Sequence, residues 1–185
     1  VVRRAKAGEK ITAIDQAEYV LDESTCVIAD ADRPVAIAGV MGGFDTEISD
    51  GTVNVLIETA DFAPLAVRHA ARKLKLHSPS SYRFERKVDA AQIEWASRRC
   101  CELILQLAGG ELLDEPIIAG ELPQADRPAI TLRFAQIPRI LGIEIPPAVA
   151  VKILKDLGLK VVGERNGACE VIPPSWRRGL SREAA

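Results

Sequence analysis

The sequence predicts an α+β protein: a mixed β-sheet with packed helices, followed by a small helix-turn-helix-like domain that carries a β-hairpin. Three observations carry this expectation. Short strand-like runs fill most of residues 1–60. Two stretches at helical spacing follow, near residues 61–74 and 90–108. After residue 128 the order becomes strand, helix, helix, hairpin. The expected division is therefore residues 1–119, a linker at 120–128 (GELPQADRP), and a second unit at 129–185.

In chain order, Val1–Arg3, Lys10–Ile14, Tyr19–Leu21 and Cys26–Ala29 read as short strands. Residues 35–40 and 53–59 read as two further strands with little polar alternation, which suggests burial on both faces. Between them lies Met41-Gly42-Gly43, where the missing Cβ atoms allow a turn or the close approach of a ligand. Glu58 is a lone carboxylate among Leu56, Ile57 and Ala60, and a buried charge needs a partner. Two readings stay open here. One is a pocket with a glycine floor and a carboxylate wall. The other is a hairpin corner whose glutamate pairs with an arginine.

Asp61 and Pro64 suit the start of a helix that runs to Leu74, with Leu65, Val67, Ala70, Ala71 and Leu74 as its apolar side. His77–Ser81 reads as a loop because it contains Pro79 and three serines. A long helix is expected from Ala90 to Ala108. Asp89 would be its N-cap, Gly109-Gly110 its stop, and Ile93, Ala96, Cys100, Leu103, Ile104 and Leu107 its apolar face. Leu112–Ile118 reads as a returning strand. The second unit opens with a strand, Ile130–Arg133, and a helix containing Ile137, Ile140 and Leu141. A break at Gly142–Pro147 precedes a helix from Ala148 to Leu157 that stops at Gly158. Lys160–Glu164 and Ala168–Ile172 are joined by Asn166-Gly167, a strong hairpin-turn signal.

With 185 residues, 48% of them hydrophobic and 27% charged, the chain has the material for a packed core, which excludes a disordered chain. The formal charge of −2 gives no global attraction to nucleic acid. The local distribution differs: Arg68, Arg72, Lys73, Lys75, Arg83, Arg86 and Lys87 face only Glu85 as an acid in that stretch. Such a stripe is either a solvated face or a phosphate contact, with Arg68, Arg72, Lys73 and Lys75 as RNA-contact candidates. Cys26, Cys100, Cys101 and Cys169 form no C-x-x-C pattern, so free thiols in a reducing, cytoplasmic compartment are expected. His69 and His77 lack metal-ligand spacing, and no phosphate-binding glycine loop or nucleophilic-serine motif occurs, so neither a metal site nor a catalytic residue is expected. No apolar run is long enough to span a bilayer, and no membrane partner is expected. The chain starts without Met and ends without a closing element, which reads as a piece of a longer protein.

Five stretches fall in register with one family. They are Pro34 with Val35–Gly43 (PVAIAGVMGG), Val55–Ala60 (VLIETA), Ser81–Asp89 (SYRFERKVD), Ile130–Ile143 (ITLRFAQIPRILGI) and Val171–Arg177 (VIPPSWR). In this order and spacing the chain resembles the β subunit of bacterial phenylalanyl-tRNA synthetase. The resemblance implies the C-terminal part of a B3/B4 editing region over residues 1–119 and most of a B5 domain over 129–185. The activity it implies is attachment of phenylalanine to tRNA(Phe) with ATP and magnesium, in partnership with an α subunit. The B3/B4 region would hydrolyse mischarged Tyr-tRNA(Phe). Glu58 would then recognise the tyrosine hydroxyl, beside Met41, Gly42, Gly43 and Ser80. A carboxylate satisfied by a phenol and left unpaired by phenylalanine would discriminate in the direction editing needs.

The sequence also departs from the family. Lys87 stands where Gly is usual, Ser80 where Ala is common, and Gly179 where the first metal-binding acid would be. A histidine used in editing falls before Val1, and the aminoacylation site belongs to the other subunit. The isolated fragment is therefore expected to be inactive. The alternative is a non-enzymatic RNA-binding or subunit-packing module in which Glu58 is structural.

Overall fold

The computed structural model describes residues 1–113, 115–121 and 127–184. It is α+β, as expected, and every named strand pairing is antiparallel. Contacts divide the chain into two units: Val1–Val88 with Gln92–Asp114, and Asp89–Ala91 with Glu115–Ala185. The expected linker at 120–128 lies mostly outside the described residues.

In the first unit β1 (Val2–Arg4), β4 (Cys26–Ala29), β5 (Pro34–Ile37) and β6 (Met41–Gly42) form one sheet in the order β1-β4-β5-β6. β2 (Lys10–Thr12) and β3 (Glu18–Val20) form a separate hairpin. The first four strands lie within a residue or two of their expected positions. Alternation explains their burial, since Val27 and Ala29 of β4 are buried while Cys26 and Ile28 are only half so. Arg3 clasps Glu9 through two hydrogen bonds of 2.7 and 2.9 Å, and this pairing holds the Glu9 carboxyl at about 2.

Helix α1 (Pro64–Lys73) starts at Pro64, where a missing N–H costs nothing. Ala63 occupies its N-cap, so Asp61 does not take the capping position expected of it. Val67, Ala70 and Ala71 turn inward and join Leu21, Val27, Ile37 and Val40 in the core, whereas Leu65 is exposed. Helix α2 (Pro79–Phe84) replaces the loop expected at 77–81. Ser78 is its N-cap in a reciprocal capping box with Ser81, and Pro79 fills the first turn. The serines and the proline that argued for a loop are helix-start residues here.

The strand expected at 53–59 does not form, and Val53 and Leu56 are about nine-tenths exposed, at 88% and 91%. No ladder pairing reaches these residues, and the sheet edge nearest in chain order is already engaged. β6 pairs with β5 on one side, and on the other the Ile14 amide donates to the Gly42 carbonyl at 3.0 Å. The described part of the strand expected at 112–118 is likewise irregular and exposed, and residue 114 lies outside the described residues. Asp89 accepts from the Ala91 amide and so caps a 3-10 turn at Ala90–Gln92, after which α3 runs Ile93–Ala108. Gly109, at φ +71°, ends it as expected. The apolar stripe of α3 buries no residue among those described.

In the second unit, β7 (Ile130–Arg133), α4 (Gln136–Leu141), α5 (Pro147–Asp156), β8 (Lys160–Arg165) and β9 (Ala168–Ile172) follow the expected order. The sheet order is β7-β9-β8, with β9 central. Asn166 and Gly167, at φ +52° and +75°, make the tight turn between β8 and β9. Val151, Leu159, Cys169 and Val171 form the core, flanked by Ile130, Leu132 and Phe134. Arg127 donates to the carbonyls of Pro174, Arg177 and Leu180 at 3.0, 3.0 and 2.9 Å, which fastens the segment after β9 to the residues before β7.

Candidate functional site

The turn between β5 and β6 and the start of α2 build one corner of the first unit. Gly39 makes the turn at φ +68°. Of the two possibilities that Gly42-Gly43 offers, a turn or a close approach, the turn is not made there: Gly42 lies in β6 opposite Ala36, and Gly43 is extended at φ −80° and ψ 143°. Gly43 does serve close approach, though of backbone to backbone: an added Cβ would sit 2.6 Å from the Val35 carbonyl oxygen. Gly42 is exposed, and a Cβ there would meet only Ile14 at an ordinary 3.8 Å.

Helix α2 is tied to this turn by two hydroxyls. Ser78 Oγ donates to the Val40 carbonyl at 2.5 Å, and Ser80 Oγ donates to the Gly39 carbonyl at 3.3 Å. Ser80 is thus brought to the glycine turn by a hydroxyl that a methyl group could not replace. Ser78 was not singled out from the sequence; the Ser-Pro-x-Ser pattern of a capped helix start was the available signal. Met41 is half-buried and packs against the hydrophobic core, which makes it a packing residue at this corner.

Glu58 is exposed as a residue, yet its carboxyl group lies against enough protein that desolvation pushes its pKa upward. It has no hydrogen-bond or ion-pair partner among the described residues, so the pairing with an arginine left open above is not formed. No hydrogen bond connects it to Met41, Gly42, Gly43 or Ser80. The surface of the first unit carries depressions among the described residues. One is lined by His77, Ser78, Pro79, Ser81, Tyr82 and Glu85, another by residues including Lys10, Glu18, Arg33, Gly43 and Asp45. Glu58, Met41, Gly42 and Ser80 line neither.

On α1, Arg68 and Arg72 stand one turn apart and exposed, with Lys75 following just after the helix. Lys73 differs from them because its ammonium is paired with Asp22, whose carboxyl is held well below its usual range by that contact and by the Ser24 hydroxyl. Among the described residues, no group of three His, Cys, Asp or Glu side chains gathers as metal ligands would. All four cysteines are free thiols, and burial pushes the Cys26 and Cys169 thiols up. No helix among the described residues is long and apolar enough to cross a membrane.

Residues 1–109 match the family model of the B3/4 domain. The chain belongs to the B3/4 domain family. Beyond this B3/4 domain, residues 130–184 match the tRNA synthetase B5 domain. The chain is 47% identical over 184 residues to the phenylalanine--tRNA ligase beta subunit of Rhodopirellula baltica, covering 99% of this chain and 27% of the relative. It is 44% identical over 184 residues to the beta subunit of Xanthomonas campestris pv. campestris (strain 8004), covering 98% of this chain and 23% of that protein. The beta subunit of Syntrophus aciditrophicus is 38% identical over 185 residues, with 99% and 23% covered. The chain therefore spans about a quarter of the length of these curated relatives, and the family expected from the sequence is the one found.

Lys87 has a visible backbone consequence. It sits at φ +73°, a conformation that costs a lysine roughly 1 kcal/mol and glycine almost nothing. Lys87→Gly is expected to raise thermal stability by a few degrees in a melting experiment. An unchanged or lowered Tm would show that the lysine side chain offsets its backbone cost.

Proposed function

We propose that this chain is the B3/4 and B5 portion of a phenylalanine–tRNA ligase β subunit, and that its first unit contributes to the hydrolysis of Tyr-tRNA(Phe). The observation that carries the reading is similarity over nearly the whole of this chain to part of proteins of that name, with both domains in order. The complete enzyme would pair with an α subunit in the cytoplasm and charge tRNA(Phe) with phenylalanine at the expense of ATP. None of that chemistry is assigned to a residue of this chain. The editing reading is supported by Glu58, a partly desolvated carboxyl with no partner, which is the state expected of a group that awaits a hydrogen-bond donor. A tyrosine phenol would satisfy it; phenylalanine would leave it unpaired. Met41, Gly42, Gly43 and Ser80 would shape the neighbouring wall.

Among the described residues no set of carboxylates gathers to hold magnesium. Position 179 is glycine, and Glu183, the one described carboxylate that follows it, is occupied by Arg133 at 2.6 and 3.1 Å. No step is assigned to a metal here. The second unit reads as a packing module: on α5, Lys152 is paired with Asp156 at 2.5 Å, leaving little free positive charge for phosphate.

The test is deacylation of Tyr-tRNA(Phe) by the complete two-subunit enzyme carrying Glu58→Ala. Tyrosine clearance should fall by on the order of 1.5–3 kcal/mol of discrimination while phenylalanine charging stays near normal. Unaltered clearance would leave Glu58 structural and favour the non-enzymatic packing reading.

A further inference from the structure

Helix α2 presents Tyr82 to solvent, 61% exposed, from an unusually well-anchored base. Its first turn is capped by Ser78, its hydroxyls hold the Gly39–Val40 turn, and Phe84 packs edge-on against Phe62 at 5.0 Å between ring centroids. The Arg86 guanidinium lies over the Tyr82 ring, 3.7 Å from its centroid. It is fixed there by a 2.9 Å bond to the Tyr82 carbonyl and by its pairing with Glu85. A guanidinium held over an exposed aromatic ring is a cation–π pair whose open side can take a further planar group. The depression lined by His77, Ser78, Pro79 and Glu85 opens beside the same ring, with Arg83 and Lys87 exposed nearby in the sequence.

We propose that Tyr82 and Arg86, with the adjoining depression, form a stacking platform for one unpaired nucleobase of a single-stranded RNA. The inference rests on reading the Arg68–Lys87 stripe as the RNA-facing side of the first unit, and adds to it the element that holds a base rather than a phosphate. Arg68 and Arg72 supply attraction to the backbone, which salt screens; the stack supplies a contact that salt affects little. Because α2 is pinned at its start and by Phe84, little side-chain freedom remains to be lost on binding.

The experiment titrates the 185-residue chain with a short single-stranded RNA whose terminal base is the fluorescent analogue 2-aminopurine, over a salt series. Binding by the parent chain and by Tyr82→Phe should quench the fluorophore. Tyr82→Ala should lose the quench and bind about tenfold more weakly, with the salt dependence unchanged. Arg68→Glu/Arg72→Glu should lower affinity and salt dependence yet keep the quench at saturation. A quench retained in Tyr82→Ala would overturn the platform while leaving the basic stripe standing. No salt-sensitive binding by the parent chain would overturn the stripe and the platform together.

Discussion

Gly39→Val is expected to unfold the first unit or bring it close to unfolding. Two independent costs meet at this residue. Its φ of +68° is one that a β-branched side chain adopts only under strain. Its Cβ would also lie 2.8 Å from Phe62 Cδ2, 3.0 Å from Val67 Cγ2 and 3.3 Å from Phe84 Cδ2. Those atoms belong to core side chains that have few places to go. Strain and overpacking together should cost about 2–6 kcal/mol, a large part of the stability of a small domain. Gly39→Ala should fall between the parent and the valine variant. Gly42→Ala, at an exposed position with ordinary contacts, should be close to neutral. The measurement is chemical denaturation of the three variants. Equal stability of the Gly39 and Gly42 variants would contradict the packing described for the β5–β6 turn.

Arg127→Met should loosen the C-terminal segment of the second unit. One guanidinium holds three backbone carbonyls, those of Pro174, Arg177 and Leu180. Hydrogen bonds to a charged group are worth more than neutral ones, and methionine keeps the length of the side chain while removing every donor. The expected loss is about 2–4 kcal/mol, less than three separate bonds would suggest because the freed carbonyls can turn to water. Hydrogen exchange should accelerate over residues 174–180 and change little in β1–β6. Lysine at this position should recover only part of the protection, since an ammonium cannot match the planar spread of the guanidinium. Protection unchanged by the methionine would show that the segment is held by its apolar contacts, Leu180 among them.

The second unit was largely legible from residue order. Asn166-Gly167 dictates its turn through positive φ angles, Gly142 ends α4 in the left-handed conformation, and Pro147 opens α5. These are local effects, carried by residues that act on their own backbone. The serines of 77–81 were also local signals, but the same residue types start helices and make loops. Only their bonds to the Gly39–Val40 turn and to each other decide for a helix. Arg127 sits in sequence that reads as linker, and nothing local announces that its partners lie about fifty residues on.

The candidate site divides in the same way. The sequence by itself determined the family, through motifs in register over nearly the whole chain, and with it the set of residues to inspect: Glu58, Met41, Gly42, Gly43 and Ser80. It also determined the positions of the β1–β5 strands and the basic character of Arg68–Lys87, because alternation and charge are written residue by residue. Tertiary structure alone decided which glycine turns the chain, that Lys73 is spent on Asp22 while Arg68 and Arg72 remain exposed, and that residues 53–59 find no strand to pair with. Each of these depends on what arrives from elsewhere in the chain. A strand needs an edge, a cation's availability depends on the nearest carboxylate, and a glycine is required only where other atoms come too close for a Cβ.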